Sequence, residues 1–212
     1  MKKGNLIIIS SPSGGGKGTL IREIMPSVPD LGYSISHTTR KPRFGEEHGR
    51  EYYFVSREQF DESIAKGRFL EYAEVHGNMY GTSREQIEDI TASGRDAILE
   101  IDVQGALTVM EKVPTAVSIF ILPPSFEVLR ARLTARNTED ADDLALRLRN
   151  SFAEVQNYVR FDYVIVNEDV SLASRQLAPV ICGERQRCDR QNDRIATIIE
   201  SFAGANHSTI GI

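Results

Sequence analysis

Cysteine, long apolar runs and net charge are all scarce in this sequence. The 212 residues include only two cysteines, Cys182 and Cys188, which are too few for a disulfide framework and are spaced unlike common zinc sites. No apolar run approaches the ~18 residues of a membrane span, and the apolar stretch at residues 6–9 is shorter than the ~7–15 residues of a signal-peptide core. We therefore expect reduced thiols in a cytoplasmic protein that does not associate with membranes.

The net charge is only −5, with 26% charged and 41% hydrophobic residues. This composition excludes general disorder and argues against a nucleic-acid binder, which usually presents a basic surface. Arginines nevertheless cluster within residues 40–50 and 130–149, and local clusters can bind small anions on a mildly negative protein. The length predicts one domain with insertions.

Short apolar segments alternate with segments of helical pattern along most of the chain. Residues 6–9, 97–101, 116–122 and 163–166 are predicted buried strands with helices between them, and this alternation predicts an α/β, doubly wound parallel sheet. Extra short strands interrupt it between about 34 and 90, where Ser56 and Ser83 begin helices with capping-box patterns. We predict a core of residues 1–33 and 93–183, an insertion of residues 34–92 and a C-terminal helical extension of residues 184–212.

A glycine-rich turn joins the first predicted strand to the first helix. It reads Ser11-Pro12-Ser13-Gly14-Gly15-Gly16-Lys17-Gly18-Thr19. In a P-loop, backbone N–H groups and the positive helix end hold phosphates, while a lysine reaches the β- and γ-phosphates. We predict that residues 13–19 bind ATP and that Lys17 is catalytic; a glycine-rich turn with a surface lysine is the alternative.

The turn departs from the strict P-loop pattern at two positions. Ser11 stands at the first glycine, and Gly18 stands where a serine or threonine hydroxyl commonly binds Mg²⁺. Thr19, one place on, remains to hydrogen-bond phosphate, with water completing the metal shell.

The next segment combines arginine, tyrosine and acidic residues. It contains Ser36-His37-Thr38-Thr39-Arg40-Lys41-Pro42-Arg43, Gly45-Glu46 and Gly49-Arg50-Glu51-Tyr52-Tyr53-Phe54. Arg40 and Arg43, three apart around Pro42, can converge on one phosphate dianion as charge-assisted forks. A solvated basic surface is the alternative.

These motifs closely resemble the signature of the guanylate kinases, enzymes that phosphorylate GMP with ATP. The resemblance continues through Phe69-Leu70-Glu71, Gly77-Asn78-Met79-Tyr80-Gly81-Thr82, Leu99-Glu100-Ile101-Asp102-Val103-Gln104-Gly105, Pro123-Pro124-Ser125 and Asp162-Tyr163 with Asn167. It covers residues from about 5 to 180. It implies a P-loop NTPase-type fold in which residues 34–92 bind the nucleoside monophosphate and residues about 134–147 form a lid.

The resemblance also implies roles for residues on the acceptor side. The GMP phosphate is expected at Arg40, Arg43, Tyr52 and Tyr80, and the base at Ser36, Glu71 and Thr82. A carboxylate at Glu71 can accept from guanine N1–H and the 2-amino group, and the Thr82 hydroxyl can donate to O6. Half-buried strand aromatics are the alternative for the two tyrosines.

Glu100 and Asp102 lie at the end of a predicted strand, where carboxylates commonly orient Mg²⁺ or its waters. We expect Asp102 to hold the metal through water and Glu100 to contact GMP. The alternative is a strand-end carboxylate that caps the next helix.

Three arginines match those of the family's lid. Arg132 and Arg136 are four apart and share a helix face, and Arg147 follows across a polar loop. Positive groups offset charge on transferring phosphoryl oxygens, so Arg136 and Arg147 are predicted catalytic, and Arg132 with Asn167 is predicted to bind ATP. Asn137 stands where the family usually has glycine.

The sequence predicts a Mg²⁺-dependent kinase that converts ATP and GMP to ADP and GDP without a covalent enzyme intermediate. One alternative is a catalytically inactive guanylate-kinase-like module that binds peptides, and another is a P-loop kinase of a different phosphorylated acceptor. No nucleic acid or membrane partner is expected. Use of dGMP, formation of a homo-oligomer and the role of residues 184–212 are left open.

Overall fold

The structure, a computed structural model, describes residues 3–75, 77–135 and 141–209. Two 3₁₀ turns, Asn157–Arg160 and Cys188–Arg190, lie between the main elements. The main elements are β1 (Leu6–Ser10), α1 (Lys17–Ile24), β2 (Leu31–Ser34), β3 (His37–Thr38), β4 (Tyr53–Phe54), α2 (Arg57–Ala65), β5 (Phe69–Val75), β6 (Asn78–Ser83), α3 (Arg84–Ala92), β7 (Asp96–Glu100), α4 (Val103–Lys112), β8 (Val117–Leu122), α5 (Phe126–Thr134), α6 (Ala141–Gln156), β9 (Tyr163–Val166), α7 (Val170–Glu184) and α8 (Asn192–Thr209).

A five-stranded parallel sheet forms the centre of the fold, in the order β2-β7-β1-β8-β9. The prediction of a doubly wound α/β fold is confirmed. The strand β1 is buried at every position, because both faces of a parallel sheet are covered by crossover helices. The carboxyl ends of β1 and β7 lie side by side, since Ile9 pairs with Glu100. Loops that follow these strands therefore meet at one edge, where ligands bind in such sheets.

Two apolar clusters pack on opposite faces of this sheet. One contains Ile7, Ile9 and Ile98 with helices α1 and α7, and the other contains Ile8, Leu99 and Phe120 with α3 and α4. Neighbouring residues of β1 belong to different clusters because side chains alternate across a strand. The end of β1, and with it the start of the phosphate loop, is thereby fixed from both sides.

A second, four-stranded sheet lies within residues 34–92, in the order β4-β3-β6-β5. Its small core is Phe60, Phe69 and Met79. The capping box predicted at Ser56 is present in full, whereas Ser83 accepts from the backbone of Gln86 without the reciprocal bond. The antiparallel pair β5–β6 aligns Glu71 with Thr82, which brings two predicted base-contacting residues together.

The helix α7 is tied to the amino ends of the central strands. Arg185, just after α7, donates to the buried carboxylate of Asp96 at 2.6 Å and to the carbonyl of Pro29 at 2.8 Å. Asp96 also accepts from the backbone of Asn5. Cys182 and Cys188 are free thiols. Within the described residues, no helix is both long and apolar enough to cross a membrane.

Candidate functional site

The phosphate loop lies at the junction of β1 and α1. Gly16 takes a left-handed backbone with φ of 88° and stands at the N-cap of α1 without a side-chain cap. A Cβ added at Gly16 would lie 2.3 Å from Asn167 Nδ2, so both the conformation and the space require glycine. The first N–H groups of α1 are uncapped by side chains within the described residues, and such groups attract anions.

Asn167 contacts the phosphate loop, and Arg132 in turn contacts Asn167. The buried Asn167 donates its Nδ2 to the carbonyl of Gly15 at 3.0 Å, and Arg132 donates to the backbone carbonyl of Asn167 at 3.0 Å. In the described part of the chain, Arg132 Nη1 is buried and has no acceptor. It lies 3.7 Å from the position of a Cβ on Gly16. An unsatisfied charged donor beside the loop favours a bound anion, since leaving it unpaired is costly.

Lys17 begins α1 and faces the end of β7. Its ammonium lies 3.4 Å from Glu100 Oε1, and the Tyr33 hydroxyl donates to Glu100 Oε2 at 3.0 Å. Thr19, two residues on, is exposed and accepts from Arg22 at 3.3 Å. Glu100 is therefore placed against the phosphate loop.

Asp102 occupies a different place from Glu100. It caps α4 by accepting from the backbone of Gly105 at 2.7 Å, as the helix-cap alternative predicted. A Cβ on Gly105 would lie 3.1 Å from both Asp102 Oδ1 and Glu71 Oε2, so Asp102 points toward the predicted base site. The prediction placed Glu100 at GMP and Asp102 at the metal; in the structure Glu100 lies beside Lys17 of the phosphate loop, and Asp102 lies beside Glu71.

Glu71 and Thr82 form a buried pair on the β5–β6 hairpin. The Thr82 hydroxyl donates to Glu71 Oε1 at 2.5 Å, so the two side chains predicted to contact the base also contact each other. The pKa of Glu71 is raised to about 7, mainly by burial and also by the charge of Asp102, while the Thr82 bond opposes the shift. The site thus holds a carboxyl group that changes charge near neutral pH.

Arg40 is held in an acidic and aromatic setting. Its guanidinium makes two bonds of 2.9 Å to Glu46 and lies 5.4 Å from the ring centre of Tyr52. The rings of Tyr52 and Tyr80 are 5.9 Å apart. The hydrogen bond from Arg40 holds the pKa of Glu46 below its usual value. Arg40, Tyr52 and Tyr80 are therefore brought together as predicted.

Arg43 and Ser36 are less constrained. Arg43 is exposed, and its backbone N–H donates to Glu46 at 2.7 Å. Ser36, partly buried, accepts through its carbonyl from the backbone of Tyr53 at 2.9 Å. Glu46 organises both arginines, a role that the sequence analysis did not assign although it quoted the residue.

Of the predicted lid arginines, the structure describes Arg132 and Arg147, while Arg136 and Asn137 lie outside the described residues. Arg147 on α6 is partly buried and interacts electrostatically with Glu154 on the same helix. Glu154 accepts from the backbone N–H of Ser13 at 3.1 Å. Sequence reasoning missed Glu154 and Tyr33, because each reaches the site through a contact distant in sequence.

Comparisons with known proteins agree with this geometry. A family profile described as guanylate kinase matches residues 3–184. The chain is 47% identical to a guanylate kinase of Neisseria meningitidis over 94% of this chain and 98% of that protein. It is 46% identical to one of Escherichia coli, over 95% and 99%. A crystal structure of guanylate kinase from Anaplasma phagocytophilum matches with a TM-score of 0.75 at 36% identity, covering 89% of this chain and 90% of that one.

Proposed function

The chain belongs to the guanylate kinase family, and from that premise we propose how its own residues carry out the family reaction. It is a nucleoside monophosphate kinase that transfers the γ-phosphoryl group of ATP to GMP, giving ADP and GDP. The observation that supports separate donor and acceptor sites is the presence of two different features: a phosphate loop beside Lys17 without a side-chain cap, and a buried carboxyl group at Glu71. We place the protein in the cytoplasm, where both nucleotides occur.

The donor side binds ATP. Backbone N–H groups of residues 13–19 and the amino end of α1 hold the phosphates. Lys17 stabilises the negative charge on the transferring phosphoryl group. An ATP phosphate supplies the acceptor that the buried Nη1 of Arg132 lacks among the described residues. Arg147, and Arg136 by the family resemblance, offset charge on the transferring oxygens, as positive groups do in phosphoryl transfer.

The acceptor side is the segment 34–92, which we propose as the GMP-binding part. Arg40 and Arg43 hold the GMP phosphate with the hydroxyls of Tyr52 and Tyr80. Ser36, Glu71 and Thr82 face the base, and we extend this base-contacting group to Asp102, which lies beside Glu71. The GMP phosphate oxygen is the nucleophile, so no enzyme nucleophile is needed and positioning supplies most of the rate.

Mg²⁺ fits the donor set at the edge between the two sides. Mg²⁺ keeps several waters and takes one or two carboxylates together with nucleotide phosphates. Such a site needs no cluster of three metal-ligating side chains, and within the described residues there is none. Glu100 is the carboxylate that would hold the ion beside the phosphate loop, while Thr19 would hydrogen-bond phosphate. Bound there, Mg²⁺ would neutralise phosphate charge during transfer.

Replacing the phosphate-binding arginines should damage GMP use selectively. Arg40→Ala and Arg43→Ala are each expected to cost about 2–5 kcal/mol in kcat/KM for GMP, because a buried phosphate oxygen loses its charged partner. Titration calorimetry with ADP should show little change. Arg57→Ala, which removes an exposed arginine of the same segment, is the matched control. Equal loss of ADP affinity would remove both residues from the acceptor side.

Affinity for GMP should fall in mild acid. The pKa of Glu71 is raised to about 7, so below that pH the group is protonated and offers a donor where guanine also presents donors. The Kd for GMP is expected to rise about tenfold per pH unit below 7, as for any one-proton linkage. Glu71→Gln should abolish this dependence and leave only the titration of the GMP phosphate near pH ~6. An unchanged Kd between pH 8 and pH 6 in the wild type would contradict the proposal that the ionised carboxylate of Glu71 binds guanine.

One coupled assay of ADP release tests the whole proposal. Run with GMP, AMP, CMP, UMP and no acceptor, it should show turnover with GMP far above the others. No turnover with any acceptor would favour an inactive interaction module, and turnover with another phosphorylated acceptor alone would favour a different kinase.

A further inference from the structure

Gly18 is an unusual residue for its position. It lies in the first turn of α1, where the P-loop pattern has serine or threonine, and glycine is a poor helix former. A Cβ built on Gly18 would lie 3.0 Å from Glu100 Oε1 and 3.4 Å from Oε2. The first distance is shorter than ordinary van der Waals contact. A side chain at 18 would therefore crowd the carboxylate of Glu100, which would have to shift by a few tenths of an ångström.

Glu100 is held in that volume by two further groups. Lys17 Nζ lies 3.4 Å from Oε1, and the Tyr33 hydroxyl donates to Oε2 at 3.0 Å. Burial, followed by the charge of Glu100, raises the pKa of Tyr33 well above its usual value, so the phenol stays a donor. Each carboxylate oxygen thus has its own partner, and the group is oriented toward Gly18.

The length of the acidic side chain matches this arrangement. An aspartate at 100 is shorter by one methylene, about 1.5 Å of reach, and would withdraw from Gly18, Lys17 and Tyr33 together. A serine at 18 would push the glutamate away. Glycine at 18 therefore leaves the extended glutamate in place, a side chain at 18 requires its carboxylate to shift, and the opposite combination, serine with aspartate, would fill the same space with a hydroxyl.

We propose that Gly18 and Glu100 are a matched pair in which the Glu100 carboxylate supplies, beside the phosphate loop, the metal-side oxygen that a hydroxyl at position 18 would otherwise supply, with Tyr33 as its positioning residue. This inference rests on the proposed function, since it assumes that the loop binds a nucleotide with Mg²⁺. It assigns to Glu100 a role toward the metal in place of the contact with GMP predicted from the sequence.

The test is a double-mutant cycle read by binding. Titration calorimetry measures the Kd for ADP with Mg²⁺ and with EDTA, and the ratio of the two is the metal-dependent gain. Gly18→Ser and Glu100→Asp are each expected to lower that gain about tenfold, as for residues in direct contact, and the double variant should return to within about threefold of the wild type. If the two losses multiply in the double variant, the residues are independent and the pairing is wrong.

Two further variants test whether the Tyr33 hydroxyl positions Glu100 or only supports the fold. Tyr33→Phe keeps the ring but removes the hydroxyl, so it should lower the metal-dependent gain while ADP binding in EDTA is unchanged. Gly183→Ser is the matched control, because a Cβ there meets no atom within 4 Å, and it should change neither measurement. An unchanged gain in Tyr33→Phe would remove Tyr33 from the proposal.

The proposed function fails separately from this inference. If the wild type binds no ADP, or turns over no GMP, the function is wrong and the cycle has no baseline. If the wild type binds ADP, gains affinity with Mg²⁺ and phosphorylates GMP, then multiplying losses overturn only the pairing of Gly18 with Glu100. Thermal unfolding of all variants without ligand identifies any that fail to fold.

Discussion

Lys17→Met is expected to lower kcat by on the order of 10²–10³, the usual cost of removing one group that stabilises transition-state charge. The Lys17 ammonium is partly exposed and lies 3.4 Å from Glu100, so its removal takes positive charge from the side of the loop that faces the transferring group. It also leaves the Glu100 carboxylate without its cationic partner, which adds repulsion toward nucleotide phosphates. Steady-state kinetics at saturating ATP and GMP measure the effect.

Folding should be unaffected by this change. Lys17 is not part of either apolar cluster, and methionine keeps most of its length and helix propensity. Lys66→Met, which removes an exposed lysine paired with Glu62 on α2, provides the control and should retain full activity. A Lys17→Met protein with near-normal kcat would show that the glycine-rich turn is not the site of phosphoryl transfer.

Glu71→Gln should reduce kcat/KM for GMP by the equivalent of about 2–5 kcal/mol, as when a buried charged hydrogen bond loses one partner. Guanine presents N1–H and a 2-amino group to Glu71, and an amide offers one acceptor while directing its own donor at one of them. Thr82 already donates to Glu71 Oε1, so the single side-chain oxygen of the glutamine would have to accept from Thr82 as well as from guanine. Little acceptor capacity is left for the base.

Comparison with IMP isolates the 2-amino group. IMP lacks it, so IMP should be a poor substrate of the wild type and should lose much less on Glu71→Gln than GMP does. Glu74→Gln, an exposed change on the same strand, is the matched control and should affect neither substrate. If Glu71→Gln lowers kcat/KM for both substrates by one common factor, then Glu71 does not contact the 2-amino edge.

Residues joined by local chain geometry were the predictable ones. The glycine-rich turn between strand and helix, and the capping box at Ser56, depend on neighbours a few residues apart. The pairing of Glu71 with Thr82 follows from a hairpin that the sequence indicated only as short extra strands. Even there, the motif predicted the residues, whereas the bond between them depends on the antiparallel register.

Glu100 and Asp102 show why the rest was not predictable. The sequence placed both carboxylates at the end of one predicted strand and assigned them from the family resemblance and from their position. The strand β7 ends at Glu100, however, and Asp102 already caps α4, so the chain turns between them. Tyr33 and Glu154 escaped prediction for a related reason, since their contacts with Glu100 and Ser13 span long stretches of chain.

The segment 34–92 leaves the central sheet at β2 and returns at β7, and these strands are direct neighbours, with Ser34 beside Leu99. The segment thus leaves at the carboxyl end of β2 and returns at the amino end of β7, as a crossover between two neighbouring parallel strands, and it has its own small core in Phe60, Phe69 and Met79. Because the crossover joins neighbouring strands, changes within it leave the strand order of the central sheet unaltered. Acceptor chemistry can then diverge in descendants of one ancestral gene while the phosphate loop on the neighbouring strand is inherited intact.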